Sequence, residues 1–264
     1  MLTRRAFIAW VLGLLGGCHM PRGLPDDSNV VKEGPTWALS DHAELAARLG
    51  SIVTFDRLGT VLELETFLHG MARWAPALWG VGSAVVLSST RAQVDGVSLA
   101  LVSGTGVDPG CQAVWFIAYP ELSCLGYEAS YCISGTRYQI IHSFEVFKGT
   151  YYLNFSLRWT LTTGVIEYRD VAPGWVDTGV TVIPAAHTHL FNRIKLVGNS
   201  LTGEYVRMLV NEQGYSLRGF FAEHVAAGDA PHIQAVSTIW GNGGIDMTVY
   251  LDSCIFTESE PFLG

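Results

Sequence analysis

Phe191-Asn-Arg-Ile-Lys-Leu-Val197 runs into Gly198-Asn-Ser-Leu-Thr-Gly203, then Glu204-Tyr-Val-Arg-Met-Leu-Val210, then Asn211-Glu-Gln-Gly214 and Tyr215-Ser-Leu-Arg218. The first and third segments are apolar-rich runs of strand length. The segments between them are rich in Gly and Asn, which tolerate the backbone angles of tight turns. The stretch predicts three consecutive antiparallel strands, so the chain is read from here as all-β.

The same signal recurs on either side. Val61-Leu-Glu-Leu-Glu-Thr-Phe67 alternates. Ser83–Ser88 and Ser98–Ser103 are short strands around Asp95-Gly96. Ala113-Val-Trp-Phe-Ile-Ala-Tyr119 is more uniformly apolar and suits a central strand. Leu125–Cys132 alternates again, and Gln139–Phe147 with Tyr151–Thr160 reads as a hairpin across Lys148-Gly149. Gly164–Arg169 and Gly174–Asp177 are shorter strands, and Met247–Phe256 is the last. His69–Gly80 reads as at most one helical turn, interrupted by Pro76. Many short strands at this spacing predict an antiparallel β-sandwich, a jelly roll.

The chain has 264 residues, 49% of them hydrophobic and only 15% charged, with 29 glycines. This suits one large β domain with many turns and excludes a disordered chain. The net charge of −8 and the lack of any basic run exclude nucleic acid as a partner.

The N-terminus divides into two parts. Residues 1–19 form a leader: Arg4 and Arg5 precede an apolar run from Ala6 to Leu15, and Leu15-Gly16-Gly17-Cys18 looks like the site at which bacterial lipoproteins are cut and lipidated. Thr3–Ile8 also resembles a twin-arginine export signal. Lipidation at Cys18 would make this an exported envelope protein, touching membrane only through its anchor. Met20 is an alternative start. Residues 20–50 form a Pro- and Gly-rich arm and a short helix, capped by Asp41 and Glu44 and ended by Gly50. The sandwich occupies 51–264.

The strand–turn–strand from Phe191 to Arg218 resembles a hairpin of concanavalin-like and laminin-G-like jelly rolls. Leu64-Glu-Thr-Phe-Leu-His-Gly70 followed by Trp74 resembles the opening of carbohydrate-binding modules with that fold, and Val249-Tyr-Leu-Asp-Ser-Cys-Ile255 resembles their final strand. Ala46–Gly59 is similar to a segment of uncharacterised bacterial and phage surface proteins in which a helical arm precedes the jelly roll. The resemblance implies glycan binding and, in many such modules, a structural calcium. Asp252 matches one calcium ligand; Leu68 stands where the other acid is expected, and Glu65 is the nearest substitute. No other cofactor is implied.

Other constellations carry less. His187-Thr-His189 places two imidazoles on one strand face, but no Glu follows as a metal site of that type needs, so the pair reads as loop residues. Glu63 and Glu65 share a face as ordinary solvent-side residues. The paired carboxylates of glycoside hydrolysis are not found as a motif, nor is a nucleophile elbow or phosphate loop, so the chain is read as not an enzyme. Cys111, Cys124, Cys132 and Cys254 remain once Cys18 is set aside, an even number that could form two disulfides of open pairing or stay as thiols. Flat sugar faces stack on aromatic rings. Among Trp74, Trp79, Trp159, Trp175 and Trp240, the best loop platforms are Trp175, after Pro173-Gly174, and Trp240, before Gly241-Asn-Gly.

These features predict a non-catalytic jelly-roll surface protein that binds glycans. Two alternatives stand beside it: a virion or surface-assembly subunit whose arm contacts neighbouring subunits, and a glycan-active hydrolase.

Overall fold

Alternation of apolar and polar residues delivers sixteen strands and, among the described residues, no helix. The computed structural model describes residues 56, 58–117, 122–133, 138–172, 174–185, 189–241 and 247–262. All of them belong to a compact unit spanning His42–Gly264. The leader with Cys18, the arm, the helix from Asp41 to Gly50, and His187 lie outside the described residues.

The first four strands are β1 (Thr60–Glu65), β2 (Trp74–Val81), β3 (Ala84–Ser88) and β4 (Ser98–Val102). The long central ones follow: β5 (Thr105–Ile117), β6 (Cys124–Ile133), β7 (Tyr138–Phe147) and β8 (Tyr151–Thr160). Next come β9 (Val165–Arg169), β10 (Trp175–Thr181), β11 (Phe191–Asn199) and β12 (Tyr205–Val210). β13 (Gln213–Ser216), β14 (Glu223–Ala226), β15 (His232–Gly241) and β16 (Thr248–Glu258) complete the set.

They form the antiparallel sandwich expected from the sequence. The back sheet has the order β13-β12-β11-β6-β16-β4-β3. Its β16 is shared: Thr248–Leu251 pairs with β4, while Cys254–Glu258 pairs with β1. The switch between partners is a bulge at Asp252 and Ser253, where Ser253 takes φ of 51°. The front sheet has the order β10-β9-β8-β7-β15-β5-β2, with β14 added along β8.

Between the sheets lies an apolar core that includes Trp115, Trp159, Phe144, Phe155 and Phe256. Close packing fixes Gly198, where a Cβ would overlap the Phe155 ring. One polar chain crosses this core. His142 is fully buried, and its Nε2 lies 2.9 Å from the Tyr127 carbonyl oxygen, which can only accept. Nε2 therefore carries the proton, and Nδ1 accepts from the Tyr131 hydroxyl at 2.8 Å. Tyr131 in turn accepts from Ser237 at 2.7 Å, and Ser237 from Tyr127 at 2.9 Å. The loop of donors closes on the residue where it began. Burial lowers the His142 pKa to about 4.

The back sheet carries a second polar cluster on its outer face. Lys195 lies 2.6 Å from Glu260 and 3.0 Å from Asp56, and Arg207 reaches the same two carboxylates. Nearby, burial pushes Glu128 up to about 7 against the pull of Lys195 and Arg193.

Three strands depart from the sequence expectation. The segment read as a helical turn at His69–Gly80 is largely β2, and Pro76 is tolerated because β2 is the sheet edge, where a missing N–H breaks no ladder. β14 is too short to show a period. β15 carries Ala and Ser among its inward residues, which dilutes the apolar signal although the strand is central.

Among the described residues the cysteines form no disulfides; Cys111, Cys124, Cys132 and Cys254 carry thiols. Cys124 and Cys132 sit eight residues apart on the same strand, about 26 Å, beyond any disulfide span. Cys111 and Cys254 face the core from opposite sheets, and burial pushes the Cys111 thiol up to about 12.

Candidate functional site

The outer face of the front sheet is assembled by strand register. Inward positions on these strands are core residues, so the intervening ones point outward. Pairing aligns them in five tiers across the sheet. The first tier is Trp79, Gly110, Trp240, Gln139 and Thr160. The second is Ala77, Gln112, Thr238, Ile141, Arg158 and Glu167. The third is Ala75, Val114, Val236, Ser143 and Ser156; beside it Arg169 pairs with Trp175 between β9 and β10. The fourth is Phe116, Gln234, Glu145, Asn154 and Glu223. The fifth is His232, Phe147, Tyr152 and Val225.

Side-chain size varies by tier, and this shapes the surface. The third tier is small: Val236, Ser143 and Ser156 are each 3% exposed although they face outward. They are recessed between taller neighbours, whereas Trp240 is 39% and Phe116 49% exposed. The result is a trough across the strands. Its walls on β7, Ile141 and Glu145, stand four residues apart, about 13 Å. A cleft of about 700 Å³ occupies its Trp end, lined by Trp240, Trp175, Arg158, Arg169, Gln139 and Asp108, among others.

Each end is aromatic. Trp240 meets Trp79 edge-on with ring centroids 6.1 Å apart. On the fourth and fifth tiers His232 stacks on Phe147 at 4.0 Å, and Phe147 on Tyr152 at 4.6 Å. These rings cover one another's faces and form a wall. Trp175 lies over two guanidiniums, 4.7 Å from Arg158 and 5.5 Å from Arg169.

Those arginines are each gripped by a carboxylate. Arg158 Nε and Nη2 donate to Glu167 at 2.7 Å each. Arg169 Nε and Nη2 donate to Glu223 at 2.8 and 3.2 Å, and Asn154 adds a third donor at 3.3 Å. Glu145 differs. Its partner is the Gln234 side-chain amide, and burial pushes its carboxyl above the usual range.

The structure gathers some sequence candidates and scatters others. Trp175 and Trp240 line the same cleft, though both belong to strands and not to loops. Trp74 is corrected: it is 6% exposed and stacks on Trp115 in the core at 5.5 Å, with no face for a ligand. Trp159 is likewise buried, with Nε1 donating to the Val182 carbonyl at 2.8 Å. His189 is exposed, with Nδ1 3.2 Å from Arg91.

The residues proposed for calcium do not fit that ion. Asp252 Oδ2 accepts from the backbone N–H groups of Gln93 at 2.6 Å and Val94 at 3.2 Å, and Oδ1 from Ser253 at 2.7 Å. Glu65 Oε1 accepts from the Phe67 N–H at 2.7 Å. These oxygens face hydrogens that would repel a cation. Among the described residues no group of three or more His, Cys, Asp or Glu is placed to hold a metal. Asp252 instead pins the Gln93–Val94 turn, and burial pushes its carboxyl to about 6.

The sequence reading missed the trough's polar residues: Gln112, Ser143, Glu145, Arg158, Arg169 and Glu223. Outward phase on β7 and β8 would have grouped three of these, Ser143, Glu145 and Arg158, had the sheet neighbours been known.

No family model matches the chain, and no curated protein matches it. Solved structures similar to it include the cellulose induced protein Cip1, at 15% identity over 76% of this chain and 100% of that one, with a TM-score of 0.48. Alginate lyase vAL-1 from Chlorella virus is similar at 9% identity over 81% of this chain and 96% of its own, TM-score 0.48. A carbohydrate-binding module, TmCBM61, in complex with β-1,4-galactotriose is similar at 10% identity over 74% and 94%, TM-score 0.36.

Proposed function

We propose that the trough on the front sheet binds a glycan without cleaving it. The observation that carries this reading is the recessed, hydroxyl-bearing floor, flanked by amide-bearing tiers, between aromatic ends. Sugar rings need flat apolar contact plus convergent hydrogen-bond partners. Trp240 offers the first, and Gln112, Thr238, Ser143 and Gln139 offer the second. A rigid sheet holds both in place, which limits the ordering cost of binding.

The carboxylates argue against hydrolysis. Cleavage needs two carboxyl groups about 5–9.5 Å apart on either side of one bond. Glu167 and Glu223 are each clamped bidentate by arginine. Glu145 faces Thr238, Ile141 and Arg158 across the floor. Asp108 precedes Gly110, whose tier lies three tiers from Glu145, on the order of 20 Å. Glu145 thus has no free carboxylate partner among the described residues of the trough.

The reading includes display outside the cell, with Cys18 as the lipid attachment point; intact mass of the protein from its source tests this, and an unprocessed start at Met1 or Met20 rejects it. Binding itself is tested by affinity electrophoresis through immobilised polysaccharides. Trp240→Ala should abolish retardation at unchanged unfolding midpoint, and Trp175→Ala should weaken it. Normal retardation of both variants rejects the trough as the binding site.

A further inference from the structure

The charge pattern of the trough carries one step further, and it rests on the glycan reading above. Arg158 and Arg169 are its guanidinium groups, and both are already matched. Arg158 makes two bonds of 2.7 Å to Glu167, and Arg169 makes bonds of 2.8 and 3.2 Å to Glu223. Such paired, parallel N–H···O bonds are also the way a guanidinium would recognise a uronate or a sulfate. The Trp175 ring lies over one face of each guanidinium. An anionic sugar docking beside them would meet a neutral pair and not a bare cation, because each guanidinium's charge is already offset by its carboxylate.

The remaining charge on this face is negative. Glu145 stands in the trough wall with the neutral amide of Gln234 as its partner. Asp108 lines the cleft beside Trp240 and Gly241. His232, one tier on, has Nδ1 donating to the Ala230 carbonyl oxygen at 2.8 Å and its ring stacked on Phe147, and it sits close enough to Glu145 to favour the ionised carboxylate. A carboxylate on an incoming sugar would meet Glu145 or Asp108 with no unbalanced arginine or lysine among the described residues of the trough to offset them, and like charges at an interface weaken the complex. A hydroxyl meets no such barrier. Gln112, Thr238, Ser143 and Gln139 can each donate and accept.

We propose that the trough selects an uncharged polysaccharide and rejects uronate- and sulfate-bearing chains, with Glu145 enforcing the rejection. Selection against charge is here a property of two pre-formed ion pairs that leave no cation to spare. The attraction to the sugar comes from Trp240 and the neutral floor, so it is insensitive to salt.

The test is isothermal titration of the full chain with cello-, manno- and xylo-oligosaccharides against oligogalacturonate and oligoalginate of matched length. At least one uncharged series should bind more than about tenfold tighter than either uronate. Its affinity should hold between low salt and roughly 0.5 M NaCl, where charge–charge attraction is screened. Glu145→Gln keeps the side chain's shape and its acceptor for Gln234; it should raise uronate affinity about fivefold and change uncharged-sugar affinity by less than about twofold. Uronate binding that exceeds every uncharged series and collapses in salt overturns the charge inference and leaves glycan binding standing. Unchanged uronate affinity in a folded Glu145→Gln protein removes Glu145 from the role. Absence of heat with every series of both classes overturns the glycan reading, and this inference with it.

Discussion

His142→Phe should remove one defined part of the protein's acid sensitivity. In the fold, His142 is held neutral, with Nε2 donating to the Tyr127 carbonyl and Nδ1 accepting from Tyr131. Burial lowers its pKa from 6.5 to about 4. The unfolded chain therefore takes up this proton first. As pH falls below about 6.5 the unfolded state is favoured, and stability drops until about pH 4, where the folded state protonates too. Each pKa unit is 1.36 kcal/mol, so the shift corresponds to about 3 kcal/mol lost across that window. Replacing the ring has its own cost at neutral pH, because the Tyr131 hydroxyl and Tyr127 carbonyl lose partners; about 2–4 kcal/mol is expected. The two stability curves should then converge on acidification, wild type falling toward the variant. Glu128, raised to about 7, and Asp252, raised to about 6, act in the opposite sense: buried carboxylates favour the fold more when protonated. Both residues are present in both proteins and cancel in the difference. Urea unfolding at fixed ionic strength, from about pH 7.5 to about pH 4, gives that difference directly, provided the m values agree. A gap that stays constant within about 0.5 kcal/mol would refute the neutral, doubly bonded His142.

Three further outcomes follow from packing. Gly198→Ala drives a methyl group into the Phe155 ring and should cost about 1–3 kcal/mol in urea unfolding, with no compensation elsewhere in the core. Trp74→Ala should cost about 3–5 kcal/mol, yet leave glycan retardation of the folded fraction intact, the reverse of Trp240→Ala. Added reductant should leave the melting temperature unmoved, because the core thiols are not cross-linked; loss of a native disulfide would cost about 2–5 kcal/mol.

Period-two alternation was enough to read most strands and the fold class, because each sheet has one apolar face. It failed at β2, where an edge position tolerates Pro76, and at β15, whose inward Ala235 and Ser237 are too small or polar to register. The candidate site was legible only in fragments. Trp175 and Trp240 are 65 residues apart in the chain, and a list of exposed aromatics cannot reveal that they share a cleft. Glu145 and Glu223 look like ordinary strand carboxylates until register aligns both with Asn154. The cysteine count left disulfides and thiols both open for a simpler reason: parity says nothing about distance, and two of the four lie along one strand.

The central place of β16 has a consequence for how the protein is made. β6, with its row of large inward residues, is complete at Ile133, but its partner β16 begins only at Thr248. During translation that gap lasts on the order of ten seconds. β11 can cover one flank of β6 as it emerges, while the other flank presents unpaired N–H and C=O groups beside buried aromatics. β1 and β4 wait for the same partner. The nascent back sheet is thus two separate half-sheets until the ribosome releases the last strand, and a chain stopped before Thr248 should be recovered as aggregate or degraded fragments, not as a smaller sandwich.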